Sequence, residues 1–585
     1  MKTTLLVYAN YDDALLLWTA DELPDDLEGF SIQRKLKRGD KPEETTWLDN
    51  YAPPGVKVFQ NGQHAPSDTR PFRSFTWTDH GVGLGDRVRY RVVPFLRGTT
   101  APTITLASAW SRSMTLGPPR GAKYRAFFNR GFVISQFVSR YLDETYPGMD
   151  RLAALAAFKA DISAHVDSEI RRYLSGEVRT NLLALLDEVK SGDQEVYAAL
   201  FELNDPELVG RLVALGKRAH VVLANGSIEV KKDKNGKAKE TSTEARKRDE
   251  NKDARKRLLD AGVDVDAKNR FVSPGALAHN KFLVVVDKSG KPRRAWTGST
   301  NWTTTGLCTQ LNNALLIDDA DVAAAYLAQW HELRDAHSAH PNSLPASNAT
   351  PTDIGGIKRK TVRSSVQFTR APEKVDLTEL GDVVRSAKEG VLFLMFIPGP
   401  SGVLKDVFDL QQAKPKLLIR GVVSQLPNGR QDEKSGSTTT VKVTVVGAPN
   451  PALDGTRTYD VVQPQGKAHT AAWWAVETTR SQFLSGIGFA IIHSKVLVID
   501  PFSDDPTVVT GSHNFSGAAS TTNDENFIIV RGERALAEAY AVNIDSAWRH
   551  YASRAGNPYK GITGIDYLRA VLADQRREEP FWRLA

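Results

Sequence analysis

A single cysteine, Cys308, stands in a chain of 585 residues, which excludes an intrachain disulfide and any metal site built from several thiolates. Long apolar runs are missing as well. The longest, Gly390-Val-Leu-Phe-Leu-Met-Phe-Ile397, falls far short of the roughly 20 residues that span a bilayer. The N-terminal stretch Leu5-Leu-Val-Tyr-Ala meets Asp12 and Asp13 too early for a signal peptide and reads as a first strand. A soluble protein is expected, cytoplasmic or exported by a route that needs no signal peptide. No long biased tract interrupts a composition of 41% apolar and 25% charged residues, which is that of globular domains. The length suggests about three or four of them, each able to bury a core.

Residues 1–118 read as short, often alternating strands: Ala14–Trp18, Phe30–Arg34, Phe75–Thr78 and Val88–Pro94. That pattern suits an all-β sandwich. From about 120 to 190 the pattern turns helical, with Leu152, Leu155, Phe158, Ile162, Val166 and Ile170 at three- and four-residue spacing. Strands and helices then alternate. Glu195–Phe201, a helix over Pro206–Lys217 and Ala219–Ala224 are echoed by Gly390–Ile397, a helix over Leu404–Gln411 and Lys416–Ser424. Each half closes in a helix carrying Tyr and Trp, Tyr326 with Trp330 and Tyr540 with Trp548. Two pseudo-symmetric α/β lobes follow from this repetition, at 119–338 and 366–585, joined by a Pro/Ser-rich linker at 339–365.

The chemistry sits in a doubled motif. One copy is His493-Ser-Lys495-Val-Leu-Val-Ile-Asp500 followed by Gly511-Ser512-His513-Asn514; the other is His279-Asn-Lys281-Phe-Leu-Val-Val-Val-Asp287 followed by Gly298-Ser299-Thr300-Asn301. Residues two apart on a strand share a face, so each half-site offers an imidazole, an ammonium, a hydroxyl and an amide to one cavity. Lysine and amide protons suit phosphate oxygens, and imidazole serves as nucleophile or acid near neutral pH. The glycine before each serine allows close backbone approach to a substrate. Asp500 lies at an odd offset from His493 and is expected to be structural. Asp287 is one residue further from His279, so a bulge absorbs the extra residue or the two aspartates are not equivalent.

The doubled His-x-Lys with its downstream Gly-Ser-x-Asn resembles the phospholipase D superfamily over roughly residues 120–585. The early Trp18, the Gly29-Phe-Ser-Ile-Gln-Arg34 strand and Tyr90-Arg-Val-Val-Pro94 resemble a fibronectin type III-like module. The first resemblance implies two-step cleavage of a phosphodiester without metal or cofactor. One histidine attacks phosphorus to form a covalent phosphohistidine and the other protonates the leaving alcohol, then activates water. Lys281, Lys495, Asn301 and Asn514, with Ser299 and Ser512, would bind the phosphoryl oxygens.

Glu525 matches the acidic residue of the superfamily that partners the motif histidine, and Asn312 occupies the corresponding place in the first half. Paired with His493, the carboxylate would favour a protonated acid/base there; an amide beside His279 would leave a neutral nucleophile. His279 is thus expected to attack and His493 to act as acid/base. The expected substrate is a phospholipid met by peripheral membrane contact, with a nucleic acid as the alternative and a binding-only adaptor behind both. Two half-sites in one chain make a monomer sufficient. Membrane-embedded phospholipid synthases are disfavoured for want of an anchor.

Three features stand apart. Trp473-Trp474 reads as core or as an entrance to the site. Cys308 reads as a small buried residue. Net charge is +7, yet residues 231–257 carry twelve Lys/Arg against six Asp/Glu, which leaves the remainder close to neutral. This stretch is a solvated insertion or a basic flap that gathers polyanions beside the first half-site. Its interleaved acids and lack of aromatics weigh against a nucleic-acid groove.

Overall fold

Two open mixed sheets with the same strand order form the body of the protein. The computed structural model describes residues 1–50, 65–131, 141–142, 144–355, 361–399, 402–424, 460–462, 491–555, 559 and 561–583. The first sheet runs Tyr124–Phe128, Asn313–Ile317, Pro292–Gly298, Lys281–Val286, Glu195–Leu200, Ala219–Leu223, Asp264–Val265. The second runs Arg363–Thr369, Glu525–Arg531, Thr507–Gly511, Val496–Ile499, Gly390–Met395, Leu418–Val423, Asp460–Val462, with Thr352–Ile354 added outside Arg363–Thr369. In both, antiparallel pairing gives way to parallel pairing at the same step, between Glu195–Leu200 and Ala219–Leu223 and between Gly390–Met395 and Leu418–Val423. The expected α/β lobes and their pseudo-symmetry are therefore present strand for strand.

Near-continuous apolar strands such as Lys281-Phe-Leu-Val-Val-Val286 are buried along their whole length, as sheets covered on both faces require. Helix Glu169–Ser191 lies among the apolar residues on one face of the first sheet, where Leu182 and Leu186 pack in one cluster with Val196 and Val221. Between the lobes, Phe282 and Tyr326 of the first share a cluster with Val496, Ile528 and Tyr540 of the second. Tyr326 and Tyr540, noted above only as closing-helix residues, thus sit at the lobe junction.

Two local expectations change. The helical stretch from residue 120 begins instead with strand Tyr124–Phe128, because Arg125 and Phe127 sit in register with Leu316 and Ala314 at the sheet edge; the helices are Arg151–Ala164 and Glu169–Ser191. The Pro/Ser-rich segment holds a short helix, Ser343–Ser347, and then strand Thr352–Ile354, which hydrogen-bonds into the second sheet.

At the N-terminus, sheets Thr3–Ala9/Ala14–Ala20/Thr76–Asp79 and Glu44–Trp47/Leu27–Lys37/Arg87–Leu96/Met114–Thr115 make the expected sandwich. Trp18 is fully buried against Phe30 and Phe75. The sandwich is docked, not dangling. Tyr8 stacks on Phe502 at 4.2 Å and donates a hydrogen bond to the Trp582 carbonyl at 2.6 Å. Leu568 and Leu572 of helix Gly564–Trp582 enter the sandwich core. Among the described residues no helix is long and apolar enough to cross a membrane.

Candidate active site

The two histidines meet at the seam between the lobes, their ring centroids 6.4 Å apart. Each stands just before its lobe's central strand, so its main chain is free to bond across the seam. His279 N donates to the Asp524 carbonyl and His493 N to the Leu311 carbonyl, both at 2.9 Å. A short parallel pair, Gln310–Leu311 with Ile491–Ile492, reinforces the second of these contacts.

Those crossings decide which side chain backs which histidine. Asn312 and Glu525 each follow the residue whose carbonyl binds the other lobe's histidine, and so each faces across the seam. Glu525 Oε2 lies 3.2 Å from His279 Nδ1. Asn312 Oδ1 lies 2.9 Å from His493 Nδ1, and the Ser299 carbonyl 3.1 Å from it. The expected pairing of Glu525 with His493 is thereby reversed: carboxylate and amide are exchanged between lobes. Sequence offsets within one half could not reveal it, because the partners belong to opposite halves. Asn312 Nδ2 donates to the Gly306 carbonyl at 2.8 Å, which orients the amide. Both atoms facing His493 Nδ1 are therefore acceptors, and Nδ1 carries the proton.

The lysines complete two matching cups. Lys281 Nζ donates to the carbonyl of His279 at 2.6 Å and lies 4.9 Å over the Phe201 ring. Lys495 Nζ donates to the carbonyl of His493 and lies 4.8 Å over Phe396. The same rings flank the histidines, at 4.8 Å for Phe201 and 4.9 Å for Phe396. Sequence reasoning missed both phenylalanines. The signal was present, since each directly follows an equivalent strand, Glu195–Leu200 or Gly390–Met395.

Burial and crowded positive charge govern the titrations. Burial, then Lys281, pushes His279 down to about 4, against the opposing pull of Glu525. Burial, then Lys495, Lys281 and His279, holds His493 well below the ordinary imidazole value. Burial pushes Lys281 down to about 7, and burial with Lys281 nearby depresses Lys495 strongly. Burial alone would raise Glu525, but the facing His279 holds it near 2. Burial and crowding thus favour the neutral form of each of these bases, and an incoming anion would raise the proton affinity of each.

The Gly-Ser-x-Asn segments divide. Asn301 is buried and Asn514 half-buried, and Asn301 Nδ2 donates to Glu202 Oε2 at 2.7 Å. Glu202, raised by burial with Glu250 nearby and Lys281 opposing, was not foreseen; the corresponding position in the second lobe is Ile397. The serines face the neighbouring strand. Ser299 Oγ donates to Asn312 Oδ1 at 2.7 Å, and Ser512 Oγ accepts from Asn526 N at 3.1 Å. The glycines likewise serve strand packing: a Cβ at Gly298 would lie 2.5 Å from the Asn313 carbonyl oxygen, and one at Gly511 2.3 Å from that of Asn526. The close approach that requires glycine is therefore to the next strand's backbone.

Asp500 proves structural: at φ +47° its carboxylate accepts from the N–H groups of Lys388, Glu389 and Gly390. Asp287 instead closes its own hairpin with Ser289 and Lys291, after a register shift between Val285 and Val286. The residue skipped in that shift is Arg293 on the partner strand, while Lys281–Val286 pairs with Glu195–Leu200 in unbroken register; no bulge absorbs the extra residue, and the two aspartates are not equivalent. Cys308 is fully buried, its thiol pushed up to about 12 by burial. Trp473 and Trp474 lie outside the described residues. No group of His, Cys, Asp and Glu among the described residues is arranged to hold a metal ion.

Residues 185–334 and 437–548 match the family described as "Cardiolipin synthase, PLD-like domain". These two segments carry a PLD-like domain. The two matched segments contain the two motif copies, one per lobe, as the superfamily resemblance implies. No curated protein matches. Similar solved structures include a polyphosphate kinase from Porphyromonas gingivalis, 11% identical, covering 99% of this chain and 82% of that one, with a TM-score of 0.39. A phosphatidylserine synthase from Haemophilus influenzae is 11% identical over 70% of this chain and 92% of its own, with a TM-score of 0.37. Nuc, a phospholipase D family member from Salmonella typhimurium, is 18% identical over 32% of this chain and 96% of its own, with a TM-score of 0.20.

Proposed function

We propose that the protein is a phosphodiesterase acting through a covalent phosphohistidine, with His279 as nucleophile and His493 as acid/base. The observation that carries this reading is the facing pair of imidazoles, 6.4 Å apart, each backed at Nδ1 by a residue of the opposite lobe. Among the described residues no hydrogen bond engages either Nε2. A single phosphoryl group fits between them, with reacting atoms at the roughly 3–3.5 Å of a near-attack arrangement.

In the first step the lone pair of His279 Nε2 forms a bond to phosphorus as the P–O bond to the leaving alcohol breaks. That alcohol's oxygen takes the proton of His493. In the second step His493 removes a proton from water, whose oxygen displaces His279 from phosphorus. Lys281, Lys495, Asn301 and Asn514 surround the phosphoryl oxygens with donors, the preorganised electrostatics that lowers such barriers most.

The exchanged partners supply a reason for the division of labour. His279 carries positive charge for the whole life of the phosphohistidine, whereas His493 is cationic only until it gives up its proton. The carboxylate stands behind the longer-lived charge, as a buried aspartate does in hydrolase triads. His493 gains its proton with the anionic substrate, whose charge offsets the two lysines.

The test offers phosphatidylcholine vesicles and single- and double-stranded DNA in parallel, with EDTA throughout. Choline release supports the phospholipid reading, and strand cleavage the nuclease reading. Inactivity on every diester shifts the protein to an anionic-ligand adaptor, and loss of turnover in EDTA removes the metal-free mechanism. H279N and H493N should each lose at least about 10³-fold in kcat, with a phosphoenzyme trapped on His279 in H493N alone. An adduct on His493 reverses the assignment.

A further inference from the structure

We propose that residues 231–257 form an electrostatic platform for the phosphate backbone of a nucleic acid, set beside the first half-site. This rests on the phosphodiesterase reading and gives it a substrate class. The segment leaves the first sheet after Leu223 and returns at helix Lys252–Asp260. Both ends are rooted in the pocket wall. Asn251 Nδ2 donates to the carbonyls of Phe201 and Ala224, at 2.9 and 2.8 Å, and Phe201 is the ring against His279. Ser227 N donates to Glu250 at 2.7 Å, and Ser227 Oγ lies 3.5 Å from Glu202, which holds Asn301.

The interleaved acids count less against the platform, because most of them are tied to partners on the segment itself. Asp233 accepts from the N–H groups of Asn235 and Lys237, closing a turn. Glu240 accepts from Lys231 N and pairs with Arg248. Glu244 completes a capping box with Thr241, and Asp249 pairs with the buried Arg255. By contrast, the ammonium groups of Lys231, Lys232, Lys234, Lys237 and Lys239 make no ion pair or hydrogen bond among the described residues, and all five side chains are exposed. The local excess of positive charge is thus presented to solvent chiefly by these five side chains.

The choice of nucleic acid follows from what surrounds those ammonium groups. Asn235, Ser242 and Thr243 are exposed beside them, a set of amide and hydroxyl donors of the kind that position phosphates. A segment built to lie in a bilayer interface mixes its basic residues with exposed aromatic or large apolar ones. A polymer also carries further phosphates covalently joined to the one in the pocket, so charge beside the site holds the scissile group in place.

The decisive experiment replaces Lys231, Lys232, Lys234, Lys237 and Lys239 together by Gln in the full chain, with a five-Arg variant as control. Binding of a fluorescein-labelled single-stranded oligonucleotide is titrated across salt concentrations. Each lost lysine–phosphate contact lowers the log–log salt slope by about 0.7. The Gln variant should therefore lose about 2 to 3.5 in slope and at least about tenfold in low-salt affinity, while the Arg variant keeps both. Turnover of bis(p-nitrophenyl) phosphate, which is too small to reach the platform, should be unchanged in both. An unaltered slope in the Gln variant overturns the proposal, as does a loss confined to phosphatidylserine vesicles, which would make the platform a membrane contact. Failure of the native protein on the small diester defeats the phosphodiesterase reading instead, a result the binding slopes do not mimic.

Discussion

Replacing Glu525 by Gln tests the exchange of partners between lobes. The substitution preserves shape and leaves an amide oxygen able to accept from His279 Nδ1, so the loss isolates the charge. At 3.2 Å, a carboxylate and an imidazolium attract by about 5 kcal/mol at an effective dielectric constant of about 20. The retained neutral hydrogen bond recovers about 1 kcal/mol, and each 1.4 kcal/mol is about tenfold in rate. The expected fall in kcat is therefore about 10²- to 10³-fold, with little change in substrate affinity. Ring-nitrogen NMR of the resting protein supplies the second readout. Glu525 is the group that opposes the depression of His279, so the titration of His279 should move further down from about 4 while His493 stays. A shift confined to His493, or a kcat within threefold of native, would refute the crossed arrangement.

Two further outcomes follow from the same geometry. Asp500→Ala removes the acceptor of three main-chain N–H groups and should cost about 2–4 kcal/mol in denaturant unfolding, whereas Asp287→Ala should change stability little; equal effects would mean the two aspartates are equivalent after all. The pH response has a defined sign. His279 titrates near 4 in the folded protein against about 6.5 when unfolded, so its contribution to stability is complete above about 6.5 and is lost as pH falls towards 4. Thermal melts should decline across that window, less steeply in H279N, and an unchanged slope there would contradict the burial of a neutral ring. In kcat/KM, which reports the free enzyme, deprotonation of Lys281 near 7 sets an alkaline decline.

Much of the fold was legible because it rests on local periodicity. The Glu195–Leu200 and Gly390–Met395 strands are continuous apolar runs, and repetition of strand, helix and motif disclosed two lobes before any contact was known. Tyr124–Phe128 was misread because a five-residue edge strand next to a helical pattern has no period of its own; pairing with Asn313–Ile317 gives it its conformation.

The site divides along the same line. That the two His-x-Lys units form matching half-sites was expected from residue type and spacing, since parity along a strand is a local property, whereas Glu525 was expected from the superfamily resemblance. Which histidine Glu525 serves is set where the lobes meet. The main-chain bonds from His279 to Asp524 and from His493 to Leu311 carry each partner across the seam. The serines and glycines answer to the neighbouring strand, and the acids of residues 231–257 to their own backbone. Spacing along the chain determines which groups share a face. The atom opposite that face depends on how two separately coded sheets dock, and for this protein that docking decided how carboxylate and amide were divided between the two histidines.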